Sequence, residues 1–148
     1  MMVQGKSIEN NHKTFIENIV SSGQVWGLAS KSGFVKTTSK EFENAEVIAF
    51  WSDKQNAAAF TINGSEQYSP TSIPLSAFLE NWLVGMYNED ILVGTDWNIN
   101  MTGEEHEPLE LAIEIADKLI EAGQGQSFEK YKDINDYQAQ VKSQLDLT

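Results

Sequence analysis

The run Glu46-Val47-Ile48-Ala49-Phe50-Trp51 passes through Ser52-Asp53 straight into Lys54-Gln55-Asn56-Ala57-Ala58-Ala59-Phe60, and it constrains the fold more than any other stretch. Consecutive apolar residues without alternation predict a strand covered on both faces, so it belongs at the centre of a sheet. Ser52 or Asp53 supplies the cap of a short Ala-rich helix over 54–60. A central strand that runs directly into a helix is an α/β arrangement. It sets an aromatic side chain and a helix start at a sheet edge, where such folds bind ligands. Trp51, Ser52 and Asp53 are therefore one candidate pocket.

The other elements follow from spacing. Ile8, His12, Phe15, Ile16, Ile19 and Val20 recur every three or four residues and predict a first helix, with Gly23 as its C-terminal cap. Val25 to Ser30 and Phe34 to Thr38 predict a hairpin about Lys31-Ser32-Gly33. Asn63-Gly64 marks a turn, and Gln67 to Ile73, with Pro70 inside it, suits an edge strand. Leu75, Phe78, Leu79, Trp82, Leu83 and Met86 lie on one helical stripe. Ile91 to Thr95 is a strand, 96–107 a loop, and Pro108 opens a helix to 122 with Leu109, Ala112, Ile113, Ala116, Leu119 and Ile120 facing inward. The expected fold is α/β (α+β): one small mixed or antiparallel sheet of four to five strands flanked by helices, in a single domain over 1–122. Gly123 to Ser127 reads as a flexible joint, and Ile134, Tyr137, Val141 and Leu145 give the tail, 123–148, one thin apolar stripe for a marginal helix. That helix could pack on its own domain, pack on a neighbouring subunit, or fray.

Charge narrows the partners. The formal net charge is −12. Residues 1–75 hold six Lys and seven acids, 76–121 hold Lys118 and eleven acids, and 122–148 hold three Lys and four acids. Every basic residue is Lys. Without the planar fork of Arg, and with an acidic middle third, nucleic acid, anionic membrane and phosphate-clamping chemistry are excluded. A protein partner, basic in character, is the expectation, and a homodimer remains open. No apolar run approaches a membrane span of ~20 residues, and the first residues lack the apolar core of a secretory signal. Cysteine is absent, which excludes disulfides and thiolate chemistry and fits a cytoplasmic setting.

Motifs for chemistry are sparse. His106 in Glu104-Glu105-His106-Glu107-Pro108 could act as a base or metal ligand, but no His-x-x-x-His spacing accompanies it, and adjacent side chains on extended backbone point to opposite sides. Asp96, Asn98, Asn100, Glu104 and Glu105 gather oxygen atoms in one loop without the spacing of a calcium loop. No nucleophile elbow, phosphate loop or dinucleotide fingerprint is present. Catalytic residues, cofactor ligands and metal ligands are therefore all assigned as none. Glu110, Glu114, Asp117 and Glu121 recur on the helix side opposite the apolar stripe, as a solvated face does. Trp97 stands apart from the other tryptophans because its loop is polar. It is either an exposed anchor for a partner or a lid folded back over the sheet edge, and the two readings weigh equally.

Val25-Trp26-Gly27-Leu28, Val47 to Asp53 with Ala57-Ala58, Ile73 to Leu83, Leu92-Val93-Gly94 and Glu107 to Leu111 occur in that order. Over about 25–122 the chain resembles the small bacterial proteins grouped as domain of unknown function twenty-seven fifty, and it is distantly similar at fold level to SseB-type domains. The resemblance implies a bacterial cytosolic α/β domain and brings no catalytic residues. The leading expectation is a non-enzymatic acidic binding or regulatory module, with Asp96, Trp97, Asn98, Glu104, Glu105, Glu110 and Glu114 as its interaction surface. One alternative is a small-ligand protein or enzyme with a pocket at the strand ends near Trp51, Ser52, Asp53 and Asp96. Another is an acidic inhibitor of the immunity type.

Overall fold

The structure is a computed structural model that describes residues 4–30, 33–34, 36–39, 45–62, 68–97, 104–124 and 126–145, apart from the side chains of 4–12 and 59–62. The expected turns at Lys31-Ser32 and Asn63-Gly64 lie outside the described residues, as do Gln67, Asn98, Asn100 and the side chains of Ile8 and His12. The order is α1 (Gln4–Ser22), β1 (Gln24–Ser30), β2 (Gly33–Phe34), β3 (Lys36–Thr38), β4 (Glu46–Phe50), α2 (Lys54–Ile62) and β5 (Ser69–Pro74). A continuous helix follows, made of α3 (Leu75–Ala77), a π segment (Phe78–Leu83) and α4 (Val84–Asn88). Then come β6 (Ile91–Thr95), β7 (Glu104–His106), α5 (Pro108–Glu121) and α6 (Ile134–Leu145). No helix among the described residues is long and apolar enough to cross a membrane.

The fold is mixed α/β as expected, but its strands fall into two sheets, β2-β1-β5 and β3-β4-β6-β7. They meet at one bridge, where Trp26 and Trp51 exchange backbone hydrogen bonds of 2.8 and 2.7 Å. The split arises because the stretch expected as one strand over 34–38 divides. Gly33 and Phe34 pair with Ser30 and Ala29 of β1, whereas Lys36, Thr37 and Thr38 pair with Ile48, Val47 and Glu46 of β4. Strand β7 was missing from the expected loop; it pairs antiparallel with β6, from Val93–His106 to Thr95–Glu104.

Strand β4 is internal, antiparallel to β3 and parallel to β6, with Val47 opposite Leu92 and Ala49 opposite Gly94. Its side chains alternate between two cores, as a period of two requires. Ile48 and Phe50 join the larger cluster with Phe15, Ile19, Phe78, Leu79, Leu83 and Val93, while Val47, Ala49 and Trp51 join a smaller one with Leu28, Ala57 and Trp97. At about 1.5–3 kcal/mol for each fully buried large side chain, a strand buried on both faces is the main anchor of the fold.

Helix α5 buries Leu109, Leu111, Ala112, Ile115, Ala116 and Leu119, so Leu111 and Ile115 are buried beyond the predicted stripe while the predicted Ile113 is half-buried and Ile120 exposed. The extra positions are buried because α1 lies against α5 and α6 covers it from another side. Of the alternatives open for the tail, the structure has the first: Ile134, Tyr137 and Val141 of α6 lie in the same cluster as Phe15 and Leu79.

Candidate functional site

The parallel pair β4–β6 has two polar ends. At the carboxyl end the candidate residues are drawn together and bonded to one another. The Asp96 amide donates to the Phe50 carbonyl at 2.8 Å, and the Asp96 carboxylate accepts from the Ser52 amide at 2.8 Å and the Ser52 hydroxyl at 3.0 Å. Asn18 reaches the Ser52 hydroxyl from α1 at 3.4 Å. Asp53 caps α2 as expected. Its carboxylate accepts from the Asn56 amide at 2.7 Å and from the Asn56 side chain at 3.0 Å. Burial raises the pKa of Asp96, the two hydrogen bonds from Ser52 pull it back down, and the Asp53 charge adds to the rise.

Trp97 is 4% exposed. Of its two readings, the lid describes it and the exposed anchor does not. The Trp51 indole donates to the Trp97 carbonyl at 2.8 Å, and the Trp97 indole donates to the Glu104 carbonyl at 3.0 Å. A Cβ on Gly94 would stand 2.6 Å from the Trp97 ring, so glycine at that position lets the indole lie flat on β6. With both indole N–H groups satisfied by backbone, burying the ring costs no orphaned donor.

The amino end of the same pair is open. A cavity of about 510 Å³ lies where β6 leaves the turn after α4 and where β7 enters α5. Tyr87, Ile91, Leu92 and Pro108 supply its apolar wall, and Asp90, Glu105, His106, Glu107 and Glu110 its polar one. Asp90 has a φ of 60°. That is a left-handed conformation, which Asp tolerates better than most residues. Glu107 is half-buried and caps α5, accepting from the Leu109 and Glu110 amides at 2.8 and 2.9 Å. Its pKa is raised by burial against those two hydrogen bonds, with the Glu110 charge adding to the rise.

Strand alternation sorts the β7 side chains. Glu104 and His106 share a face, with the His106 imidazole 3.1 Å from the Glu104 carboxylate. Glu105 faces the other way and accepts from the buried Ser39 hydroxyl at 2.5 Å. Ser39 anchors this strand from the segment after β3 and had no signal in the sequence. Among the described residues no three His, Cys, Asp or Glu side chains converge as metal ligands.

The expected surface is thus divided. Glu105 and Glu110 line the cavity, Glu104 pairs with His106 beside it, and exposed Glu114 lies one turn along α5 from Glu110. Asp96 and Trp97 stand at the opposite end of β6, and Asn98 lies outside the described residues. Asp90 and Tyr87 were missed because they sit where the helix stripe ends, and a stripe shows where a helix stops without showing what its last residues face.

No curated protein matches the chain. A family model does, beginning earlier and ending earlier than the resemblance over 25–122. It spans α1 from position 12, both sheets and the first half of α5, and on that match over residues 12–115 the chain belongs to the family described as Protein of unknown function (DUF2750).

Proposed function

We propose that this protein is a non-enzymatic binding module that accepts a cationic side chain of a basic protein partner in the acidic cavity at the amino end of β4–β6. The reading is carried by the lining of that cavity: Asp90, Glu105, Glu107 and Glu110 stand around an apolar wall, with no Lys among the described lining residues. Carboxylates beside aromatic and aliphatic surface suit an ammonium or guanidinium head on an alkyl stem. The acidic middle third of the chain would also steer a basic partner toward the site.

The anchor of the earlier expectation moves from Trp97 to Asp90 and Glu110, which are exposed. A bacterial, cytosolic setting is part of the proposal, supported by the resemblance and by the absence of cysteine.

Titration calorimetry with a hexalysine peptide at two salt concentrations tests it. Binding that weakens steeply with salt, and at least about tenfold in an Asp90→Asn, Glu110→Gln double variant, is the expected result. Absence of binding, or equal binding by the variant, would sink it.

A second reading is favoured by the size of the cavity, about 510 Å³, which is within the range of small-molecule sites. A small alkyl diamine would meet the same carboxylates. A rise in melting temperature with diamines but not with hexalysine selects it.

A further inference from the structure

Glu80 is the one carboxylate-bearing residue that is buried among the described residues, 6% exposed and in the middle of the π segment. A buried charge is costly unless hydrogen bonds satisfy it. Here the donors come from 49 and 50 positions along the chain: the Glu129 amide at 3.1 Å on one oxygen and the Lys130 amide on the other. The Lys130 ammonium also reaches the Asn81 side chain at 3.4 Å. The segment from 126 to 145 thus closes over the π segment and supplies the groups that make the buried carboxylate tolerable.

Three further bonds align with this closure. The Tyr137 hydroxyl donates to the Leu79 carbonyl at 2.6 Å, and the Gln138 amide donates to Asp117 at 2.7 Å and to the Ile113 carbonyl at 3.2 Å. A π turn winds wider than an α turn and re-aims its carbonyls, and such segments recur at functional positions.

The segment also holds itself together. Phe128 stacks on Tyr137 at 5.1 Å and 12°, and Tyr131 meets the same ring edge-on at 4.9 Å. Beside its seam with the rest of the molecule, a pocket of about 130 Å³ opens between Val84, Tyr87 and Leu109 on one side and Tyr131, Gln140 and Val141 on the other. The connection runs through Gly123, at φ +71°, and the family match ends before it, inside α5.

We propose that residues 126–145 form a strap that opens and closes as a unit over the π segment and α5, with the Glu80 carboxylate as its latch. Opening exposes a helix face that now takes Ile134, Tyr137 and Val141, a face suited to an amphipathic helix of that spacing.

Amide hydrogen exchange on the full chain tests the proposal. In the wild type, amides of 126–145 are expected to exchange at a common rate well above that of β4 and β6. Glu80→Gln keeps the side-chain volume but puts an NH2 donor against one strap amide and leaves the other with a neutral acceptor. It should speed exchange in 126–145 by about tenfold or more and leave β4 and β6 unchanged. Tyr137→Phe, which removes only the hydroxyl, should move the same amides by a few-fold. One shared exchange rate for the strap and β4–β6 in the wild type, or variants that speed both equally, would overturn the strap.

Discussion

The carboxyl and amino ends of the β4–β6 pair carry similar residues and use them differently. At the carboxyl end Asp96, Ser52, Asp53, Trp51 and Trp97 donate to and accept from one another or from nearby backbone, and Trp51 and Trp97 are buried in one cluster. At the amino end Glu107 and Glu105 are engaged by an α5 cap and by Ser39, while Asp90 and Glu110 remain exposed around a cavity. An acid whose hydrogen bonds are all internal is part of the fold. An acid facing solvent across an apolar wall is available to a ligand. Residue type does not separate the two cases, but the supply of nearby donors does.

The sharpest way to break this contrast is at Trp97. Trp97→Ala empties a filled site beside Trp51 and Val47 and should cost about 3–5 kcal/mol, read as a lowered midpoint in urea denaturation. Gly94→Val should disturb the same place from the strand side, because any Cβ there meets the indole at 2.6 Å. If Trp97→Ala left the midpoint unchanged, the carboxyl end would not be the packed end.

Asp96 comes next. Asp96→Ala leaves the Ser52 amide without its acceptor and should cost about 1–3 kcal/mol. Asp96→Asn keeps the shape and separates packing from charge. Burial raises the pKa of Asp96 in the folded protein above its ordinary 3.8, so the fold holds this proton more tightly than the unfolded chain does. Its contribution therefore favours folding at low pH and is lost as pH rises from the ordinary carboxylate value through the raised one. The stability of wild type relative to Asp96→Asn should fall across that window and stay flat above it. A difference that grows with pH would mean that the Ser52 hydrogen bonds outweigh burial.

Much of this is legible in the sequence. The unbroken run 47–51 identified the central strand, Ser52-Asp53 the cap of α2, and Pro108 the start of α5. What was not legible depends on contacts distant in sequence. Position 34 and positions 36–38 pair with different strands, so a continuous strand pattern concealed a change of sheet. Three-residue β7 is too short and too polar to show alternation, and only its pairing with Val93 to Thr95 makes it a strand. Its polar neighbours leave Trp97 evenly poised between anchor and lid in the sequence, and its burial depends on Gly94 and on the Glu104 carbonyl. The π segment hides inside a stripe of ordinary helical spacing, and Glu80 within it is buried only through contacts with donors at 129 and 130.

Smaller effects belong to the amino end. Glu107→Ala removes the cap of α5, and caps of this kind are worth about 0.5–2 kcal/mol. Because Glu107 also lines the cavity, its loss should weaken hexalysine binding as well as stability, and calorimetry beside urea melts separates the two. A variant with normal binding but lowered stability would confine Glu107 to the helix start.

Glu110→Gln should change stability least of all, within about 0.5 kcal/mol, as an exposed substitution away from caps and cores does. Glu110 sits in the first turn of α5, where a negative charge is mildly favourable to the helix dipole. It also adds to the rise in the Glu107 pKa, so neutralising it relieves a repulsion at the same time. These opposing effects nearly cancel in the fold, but a cationic ligand loses one attraction outright. Glu110→Gln should therefore leave the urea midpoint in place and weaken hexalysine binding, most visibly at low salt. If midpoint and binding moved together, the amino end would be as structural as the carboxyl end, and the distinction between the two would fail where it is most exposed to test.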